Sequence, residues 1–422
     1  MNKISIMGGH VLDSAQHIDK ISDLHIADGR ILSIGAPPAN FQADQVIDAK
    51  DKIVCAGLVD LAVRLREPGQ EHKATIASET LAAAYNGITS LCCPPDTSPV
   101  VDTPAVAELL RQRAKNGGHC RIFPLAALTQ GLEGKQLSEM SELKQVGCIG
   151  VSNAQMPIAN TQVLKNAYEY AANCDLTVFI QPTEPYLGRG GCAHEGAISS
   201  RMGLTGIPEA AETIAISRDL FLIEQTGVRA HFCRLSSARS VDLIREAQHR
   251  GLKVTADVAA HQLFLTDQDI MNYNSQCHVY PPLRTEKDRE ALRKGVLEGV
   301  ISAICSDHQP HEHEAKLNPF AETLAGISTL DTLLPLALRL EMPLPKIIDR
   351  LTWGASQALG VKIGTLRAGK KADICIIDPN KKWTLTPQTM FAKCLNTPFM
   401  NWEFQGRAVC TIVGGQVVFS EK

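Results

Sequence analysis

The segment IVCAGLVDLAV, residues 53–63, is the first of eight apolar runs that alternate with segments of helical periodicity. Short apolar runs of this kind, each followed by a helical segment, predict the strands of an α/β fold. The other seven are GITSLCC (87–93), CRIFPLAAL (120–128), GCIGVS (147–152), LTVFIQ (176–181), VRAHFCRL (228–235), LKVTADVA (252–259) and VISAICS (300–306). The spacing therefore predicts eight strands joined by helices.

The segments between these runs carry signals for helix ends. Thr103 precedes Pro104, a residue suited to the first position of a helix. Gly227 stops one predicted helix, while Ser237 and Gly251 enclose the segment ARSVDLIREAQHR. These signals support helical connections between consecutive strands.

Eight strands with intervening helices over residues 55–363 match the count of a closed (β/α)8 barrel. An open doubly wound sheet is the alternative, but no G-x-G-x-x-G motif follows the first strand. The sequence favours the barrel.

Both ends of the chain differ from this central pattern. Residues 1–54 and 364–422 consist of short strand-like segments joined by turns. Neither end alone buries both faces of its strands. We therefore predict that the two ends close together into one small β-sandwich domain.

The composition excludes several classes of protein. The chain has 422 residues, a formal charge of −3 and 44% apolar residues, so it is neither disordered nor basic enough for nucleic acid as its main partner. No apolar run is long enough to span a bilayer, and no signal sequence is evident. We expect a soluble cytoplasmic protein whose thirteen cysteines are reduced and mostly buried.

Several motifs in a fixed order resemble those of dihydroorotases of the amidohydrolase superfamily, and the similarity runs from about residue 4 to the C-terminus. They are Arg66-Glu67-Pro68-Gly69-Gln70, Pro281-Pro282-Leu283-Arg284, Asp307-His308-x-Pro310-His311, Asn396-Thr397-Pro398-Phe399 and the segments 203–220 and 255–267. The resemblance implies a binuclear metal centre at the carboxyl ends of the barrel strands, which activates water against a cyclic amide.

The positions that correspond to the metal ligands of this family have changed. The resemblance assigns them to Ala62, Arg64, Asn153, Gln181, Arg234 and Asp307, of which only Asp307 retains a ligand residue. Alanine has no lone pair to donate, arginine is a permanent cation, and amides are weak ligands. We therefore expect no metal cofactor and no catalysis.

Two of the changed positions have become arginine, which suggests a replacement for the lost metal charge. Arg64 and Arg234 are predicted to neutralise Asp307 and Glu184, which would otherwise face each other uncompensated.

The expected substrate pocket is also altered. The resemblance assigns Arg66 to the clamp for the substrate carboxylate, and His261 is likewise retained. Asp96 and Tyr280 stand where the family has asparagines. A carboxylate would repel an anionic substrate and a tyrosine would narrow the pocket.

The segment 308–314 contains His308, His311 and His313 and could hold a relocated metal. The alternative is an inherited loop, because Pro310 prevents a regular helical pair of ligands.

Three other residues invite a chemical interpretation. His72 and His231 are predicted to have structural roles. Cys233 lies beside Arg234, which could lower the pKa of the thiol, but no histidine base accompanies it in the sequence.

The resemblance implies a non-catalytic chain, because similar degenerate chains of the dihydroorotase family accompany aspartate carbamoyltransferase in pyrimidine biosynthesis. On this reading the chain forms a homodimer within a hetero-oligomer with the catalytic chain of that enzyme. One alternative is an active cyclic-amide hydrolase with no metal or one metal. Another is a small-molecule sensor that uses Arg66.

Overall fold

The computed structural model describes residues 3–421 and contains a (β/α)8 barrel, which confirms the predicted fold. Its eight parallel strands, in chain order and in spatial order, are Leu58–Asp60, Ile88–Cys93, Arg121–Ala127, Gly150–Ser152, Thr177–Ile180, Ala230–Phe232, Val254–Ala259 and Ala303–Cys305. Beyond the last strand, the amide of His308 donates to the carbonyl of Ala62 and its carbonyl accepts from the amide of Arg64, each at 3.0 Å. These two bonds close the barrel at the carboxyl end of its strands.

Helices surround the barrel and connect its strands. Their bounds are Ile76–Tyr85, Pro104–Gly117, Met140–Gln145, Thr161–Asn173, Ala197–Met202, Ala210–Thr226, Ala238–His249, Glu286–Glu298, Leu333–Leu338, Leu344–Leu351 and Trp353–Leu359. The Ser237 side chain accepts from the amide of Ser240, and Gly227 ends its helix at φ 68°. Thr103 makes no such side-chain bond, so Pro104 alone marks that helix start.

Shorter elements complete both domains, with Ser14–Gln16 in the terminal β domain and the others in the barrel domain. A two-stranded sheet joins Ala193–His194 to Gly206–Ile207. Short 3₁₀ helices cover Ser14–Gln16, Gln130–Leu132, Ala260–Leu263, Asp267–Tyr273, Ser275–Cys277, His313–Lys316 and Phe320–Glu322.

The first apolar run forms two strands instead of one. Ile53–Ala56 pairs with strands from both chain ends, whereas Leu58–Asp60 belongs to the barrel. Gly57 separates them, and a Cβ atom there would lie 2.2 Å from the Thr89 side chain. The predicted boundary between residues 54 and 55 therefore falls inside a strand, because the periodicity of an apolar run does not reveal a change of sheet.

Both chain ends contribute to a second, mixed sheet with its own core. Its strands are Ile4–Asp13, Ile18–Ala27, Arg30–Ile34, Gln45–Asp48, Ile53–Ala56, Ile374–Thr384, Glu403–Val413 and Gln416–Ser420. Successive side chains of a strand point to opposite faces. Val54 accordingly lies in the core of this domain, whereas Ile53 and Cys55 lie in the main core of the barrel. The strand that joins the domains thus packs them together.

Two further properties concern the whole described chain. Within residues 3–421, no helix is long and apolar enough to cross a membrane. All thirteen cysteines are free thiols, and all but the half-buried Cys174 are buried.

Candidate functional site at the mouth of the barrel

The residues at the predicted metal positions converge at the carboxyl ends of the barrel strands. Ala62 and Arg64 follow the first strand, Arg234 follows the sixth and Asp307 follows the eighth, and all four are buried. Arg234 and Asp307 have φ of 53° and 50°, a region that side chains with a Cβ atom rarely adopt. Strained backbone of this kind is concentrated at functional sites, and here it lies at positions that the resemblance assigns to metal ligands.

Asp307 lies between the two arginines. Its Oδ1 atom is 3.6 Å from Nη1 of Arg64 and 3.5 Å from Nε of Arg234. Its Oδ2 atom accepts a hydrogen bond from Nε2 of the Gln309 side chain at 3.1 Å. This is the pairing that the hypothesis of charge replacement requires for Asp307.

The electrostatics of this cluster reflect burial and charge together. Burial raises the pKa of the Asp307 carboxyl, and the positive charges of Arg234 and Arg64 reduce that rise. Burial alone would lower the pKa of Arg234, but the Asp307 carboxylate raises it above its ordinary value. Each group therefore favours the charged form of the other.

The second carboxylate of the cluster is Asp96, and the prediction for Glu184 is wrong. Nε of Arg64 donates to Oδ2 of Asp96 at 2.8 Å. Burial raises the pKa of Asp96, but Arg64 and Arg66 together bring it below its usual value. Because Asp96 lies three residues after the end of the second strand, the barrel order alone could have indicated its contact with the end of the first strand.

Glu184 instead stabilises a turn in its own loop. Its Oε2 accepts from the amides of Tyr186 and Leu187 at 2.8 and 2.6 Å. The loop after the fifth strand therefore satisfies this carboxylate locally, and no ion pair joins it to either arginine among the described residues.

Two amide residues, Asn153 and Gln181, occupy positions that the resemblance assigns to metal ligands, and hydrogen bonds within the protein hold both of them. Asn153 accepts from the Thr129 hydroxyl at 2.7 Å and donates to the carbonyls of Leu132 and Met156. Gln181 accepts from Nε of Arg234 at 2.7 Å. The side-chain oxygens of Asn153 and Gln181 therefore each already accept a hydrogen bond from the protein.

The residues present do not fit a binuclear metal centre. Ala62 offers no donor, two positions carry guanidinium groups, and both amide oxygens accept hydrogen bonds from neighbouring side chains. Two permanent cations that contact Asp307 oppose a bound dication. The side chains at these positions therefore form an internal ion-pair cluster and not a set of metal ligands.

One group of potential metal ligands lies deeper in the barrel, formed by His231, Cys233 and Asp257, whose ligand atoms lie within 4.8 Å of one another. Nε2 of His231 is 2.8 Å from Asp257 and its Nδ1 is 2.8 Å from the Thr255 hydroxyl, so both ring nitrogens already have partners. Burial raises the pKa of the Cys233 thiol far above its ordinary value. Arg234 opposes this rise, but desolvation outweighs that single charge, so the thiol is not activated.

The predicted substrate pocket survives only as a small cavity. The space bordered by Arg64, Arg66 and Asp96 has a volume of about 20 Å³, which is room for about one water molecule. Nε of Arg66 donates to the carbonyl of Pro310 at 3.0 Å. Arg66 is therefore held by the protein itself.

Tyr280 and His261 complete the predicted pocket residues. The Tyr280 hydroxyl lies 2.7 Å from the Thr183 hydroxyl. His261 is buried, its Nδ1 has no hydrogen-bond partner, and burial lowers its pKa to about 3. This imidazole is neutral at physiological pH.

The three histidines of segment 308–314 lie in different environments and have different partners. His308 accepts from the amide of Thr329 at 3.0 Å and its Nε2 contacts Glu79 at 2.8 Å, whereas Nδ1 of His311 lies 3.3 Å from Lys73 Nζ. Burial and nearby cations lower the pKa of His311 to about 2. His313 is exposed, as is His72 on a separate loop. The structure does not bring the three together as metal ligands.

Comparisons with known proteins identify the family. A family model described as "Dihydro-orotase-like" matches residues 51–240. The chain is 48% identical over 418 residues to a dihydroorotase-like protein of Pseudomonas aeruginosa, covering 98% of this chain and 99% of the relative. It is 40% identical over 419 residues to a dihydroorotase of Trichlorobacter lovleyi, covering 98% of this chain and 99% of that one.

Among solved structures, the fold is similar to that of the L-hydantoinase (dihydropyrimidinase) from Arthrobacter aurescens. The TM-score is 0.90 with 21% sequence identity, and the match covers 100% of this chain and 97% of the other. That likeness concerns the fold, whereas the full-length sequence identities concern the family. The chain belongs to the dihydroorotase-like family.

Proposed function

We propose that this chain is a catalytically inactive dihydroorotase-like protein that acts in the cytoplasm as a structural subunit of the aspartate carbamoyltransferase complex of pyrimidine biosynthesis. The observation that carries the loss of catalysis is the contact of Arg64 and Arg234 with Asp307 at 3.6 and 3.5 Å. These arginines stand at positions where the resemblance requires metal ligands. The surviving ligand residue is thus committed to an internal ion-pair cluster.

Charge supports this proposal independently of the exact ligand geometry. A dication placed about 4 Å from a guanidinium is repelled by about 8 kcal/mol at an effective dielectric constant of about 20. Arg64 and Arg234 both approach Asp307, the position a metal would share. Their repulsion would offset the attraction of the single remaining carboxylate.

Space supports it as well. Sites for small molecules usually enclose about 300 to 1,000 Å³. The cavity beside Arg64, Arg66 and Asp96 has about 20 Å³. A cyclic amide would therefore require these side chains to move.

The role in assembly rests on the family resemblance and on the condition of the fold. Degenerate chains of this family accompany aspartate carbamoyltransferase, and some relatives carry the name dihydroorotase-like protein. The barrel core, the helix ends and the terminal β domain are all maintained. A scaffold needs these features but does not need a metal centre.

The partner is tested by light scattering on a size-exclusion column, with the chain alone and mixed with aspartate carbamoyltransferase of the same organism. A complex of fixed mass supports the proposal. Separate elution over a range of salt and protein concentrations contradicts the structural role.

Catalysis is tested by zinc loading, metal analysis and assays of dihydroorotate hydrolysis and of the reverse cyclisation. The dihydroorotase of Trichlorobacter lovleyi, 40% identical, is the matched positive control. We expect no stoichiometric zinc and no turnover from this chain. Stoichiometric zinc with turnover would establish the alternative of an active hydrolase with a reduced metal centre.

A second candidate function is the sensing of a small anion at the barrel mouth. Both Nη atoms of Arg64 and Nδ1 of His261 are buried without hydrogen-bond partners. Thermal-shift measurements with dihydroorotate and carbamoyl aspartate test it, with an Arg66→Met variant as control. A shift that this substitution abolishes would favour a sensor, and the absence of any shift would exclude it for these ligands.

A further inference from the structure

A groove of about 910 Å³ lies at the opposite end of the barrel from the candidate site, where the barrel meets the terminal β domain. The carboxyl end of helix Pro104–Gly117 and the start of strand Arg121–Ala127 form its barrel side. The start of strand Arg30–Ile34 and the returning segment 362–371 form the other side. Junctions between domains of this size are common sites for small ligands.

The lining of the groove is strongly basic, although the whole chain has a formal charge of −3. It contains seven Lys and Arg side chains and His119, whereas Asp373 is its one carboxylate among the described residues. Both oxygens of Asp373 accept from Arg121, at 2.8 and 2.9 Å. The remaining cations are therefore not neutralised by this acid.

Four lysines of the groove make no ion pair within residues 3–421, and they are Lys115, Lys362, Lys370 and Lys371. Lys370 is half-buried and the other three are exposed. Converging cations of this kind create a positive potential that concentrates anions. The carboxyl end of helix Pro104–Gly117 adds only about half a negative charge, which several full positive charges outweigh.

The backbone that carries two of these lysines is fixed in position. The carbonyl of Lys370 accepts from the amide of Ile31 at 2.9 Å, and the amide of Ala372 donates to the carbonyl of Gly29 at 2.9 Å. Nη1 of Arg30 donates to the carbonyl of Gly369 at 2.7 Å. Lys370 and Lys371 therefore project from a preformed segment, which reduces the entropy lost when a ligand binds.

Apolar side chains also line the groove, among them the half-buried Ile122, Phe123 and Ile363. These three side chains are called the apolar floor below. A site that combines lysines with such an apolar surface suits a ligand that has a phosphate chain and a flat, partly apolar ring. Its volume of about 910 Å³ lies within the range of small-molecule sites. We propose that this groove binds a nucleoside polyphosphate, with the phosphates on the lysines and the base against the apolar floor.

This proposal goes beyond the assembly role and does not depend on it, because it is argued only from the side chains that line the groove. It is tested by isothermal titration calorimetry of the full chain with ATP, UTP and inorganic tripolyphosphate. We expect one saturable site per chain for a nucleotide, with weaker binding at about 300 mM salt than at about 50 mM salt. Absence of saturable nucleotide binding at the lower salt concentration overturns the proposal.

Charge reversal locates the site. The double variant Lys370→Glu and Lys371→Glu should weaken nucleotide binding by about tenfold for each lysine. The matched control is the double variant Lys20→Glu and Lys287→Glu, since both lysines are exposed and lie outside the groove. Equal affinities of both double variants, with native circular dichroism spectra, would overturn the assignment.

The three ligands separate the two parts of the proposed site. Tighter binding of ATP or UTP than of tripolyphosphate supports a contact between the base and the apolar floor. Equal affinities overturn the nucleoside part of the proposal. If the Lys370 and Lys371 variant binds nucleotides normally but no longer associates with aspartate carbamoyltransferase, the groove is a protein interface and the proposal is wrong.

Discussion

Both ends of the barrel concentrate positive charge, but the two groups of cations differ in burial and in ion pairing. At the carboxyl end, Arg64 and Arg234 are buried and contact Asp307. At the amino end, Lys362 and Lys371 are exposed and make no ion pair within the described chain.

This difference separates charges that stabilise the folded structure from charges that are available to bind a ligand. A buried cation must have an internal partner, because an uncompensated charge in the protein interior is very unfavourable. An exposed cation keeps its hydration and needs no such partner. The arginines at the carboxyl end of the barrel are therefore held by an internal carboxylate, whereas the opposite end carries lysines without an ion-pair partner among the described residues.

The largest expected effect comes from removing the carboxylate at the mouth. Asp307→Asn leaves Arg64 and Arg234 facing each other without their shared partner, and breaking a buried pair costs about 3 to 5 kcal/mol. Urea unfolding followed by circular dichroism measures the change. Lys165→Met, which breaks the surface pair between the half-buried Lys165 and the exposed Glu169, is the control and should cost about 0.5 kcal/mol or less. Equal losses for the two variants would contradict the comparison.

An intermediate effect concerns pH and His261. Its pKa is lowered by burial to about 3, whereas an unfolded histidine titrates near 6.5. Below pH 6.5 the unfolded chain binds a proton that the folded chain does not, so stability falls as the pH falls toward 3. Between pH 7 and pH 5 this loss is about 2 kcal/mol. His261→Phe should reduce the difference in unfolding free energy between these pH values by that amount.

The matched control for this measurement is His249→Phe, because His249 is exposed near the end of its helix. This variant should leave the acid dependence close to that of the unmodified chain. If the two variants change the dependence equally, burial of His261 is not its cause.

The smallest expected effect is at the groove and has the opposite sign. Replacing Lys370 and Lys371 with glutamine removes repulsion among exposed like charges, so the free protein should become more stable by a few tenths of a kcal/mol at low salt. At about 1 M salt, where charges are screened within about 3 Å, this gain should vanish. Urea unfolding at both salt concentrations measures it, and a large loss of stability would show that these lysines are structural.

Much of the fold could be predicted from the sequence. All eight apolar runs contain a barrel strand, and Ser237 and Gly227 mark helix ends as expected. These features depend on local periodicity and on capping chemistry. The change of sheet at Gly57 could not be predicted, because both strands of that run are buried and apolar.

The site was predictable in its residue types but not in its pairings. The resemblance identified Arg64, Arg234 and Asp307, and the barrel order brings them together. The sequence did not reveal that Arg64 pairs with Asp96 and not with Glu184. That outcome depends on the loop after the fifth strand, where Glu184 accepts hydrogen bonds from backbone amides of its own loop. The basic groove was not foreseen, because its residues come from segments far apart in the chain.

The sequence by itself determined the barrel, the family and the residue types at the positions that the resemblance assigns to metal ligands, because each follows from local patterns or from the identity of single residues. Tertiary structure alone decided which carboxylates compensate the arginines and which cations remain unpaired. The physical reason is that the free energy of a charge depends on its burial and on partners within a few ångströms, and both are set by how distant segments pack.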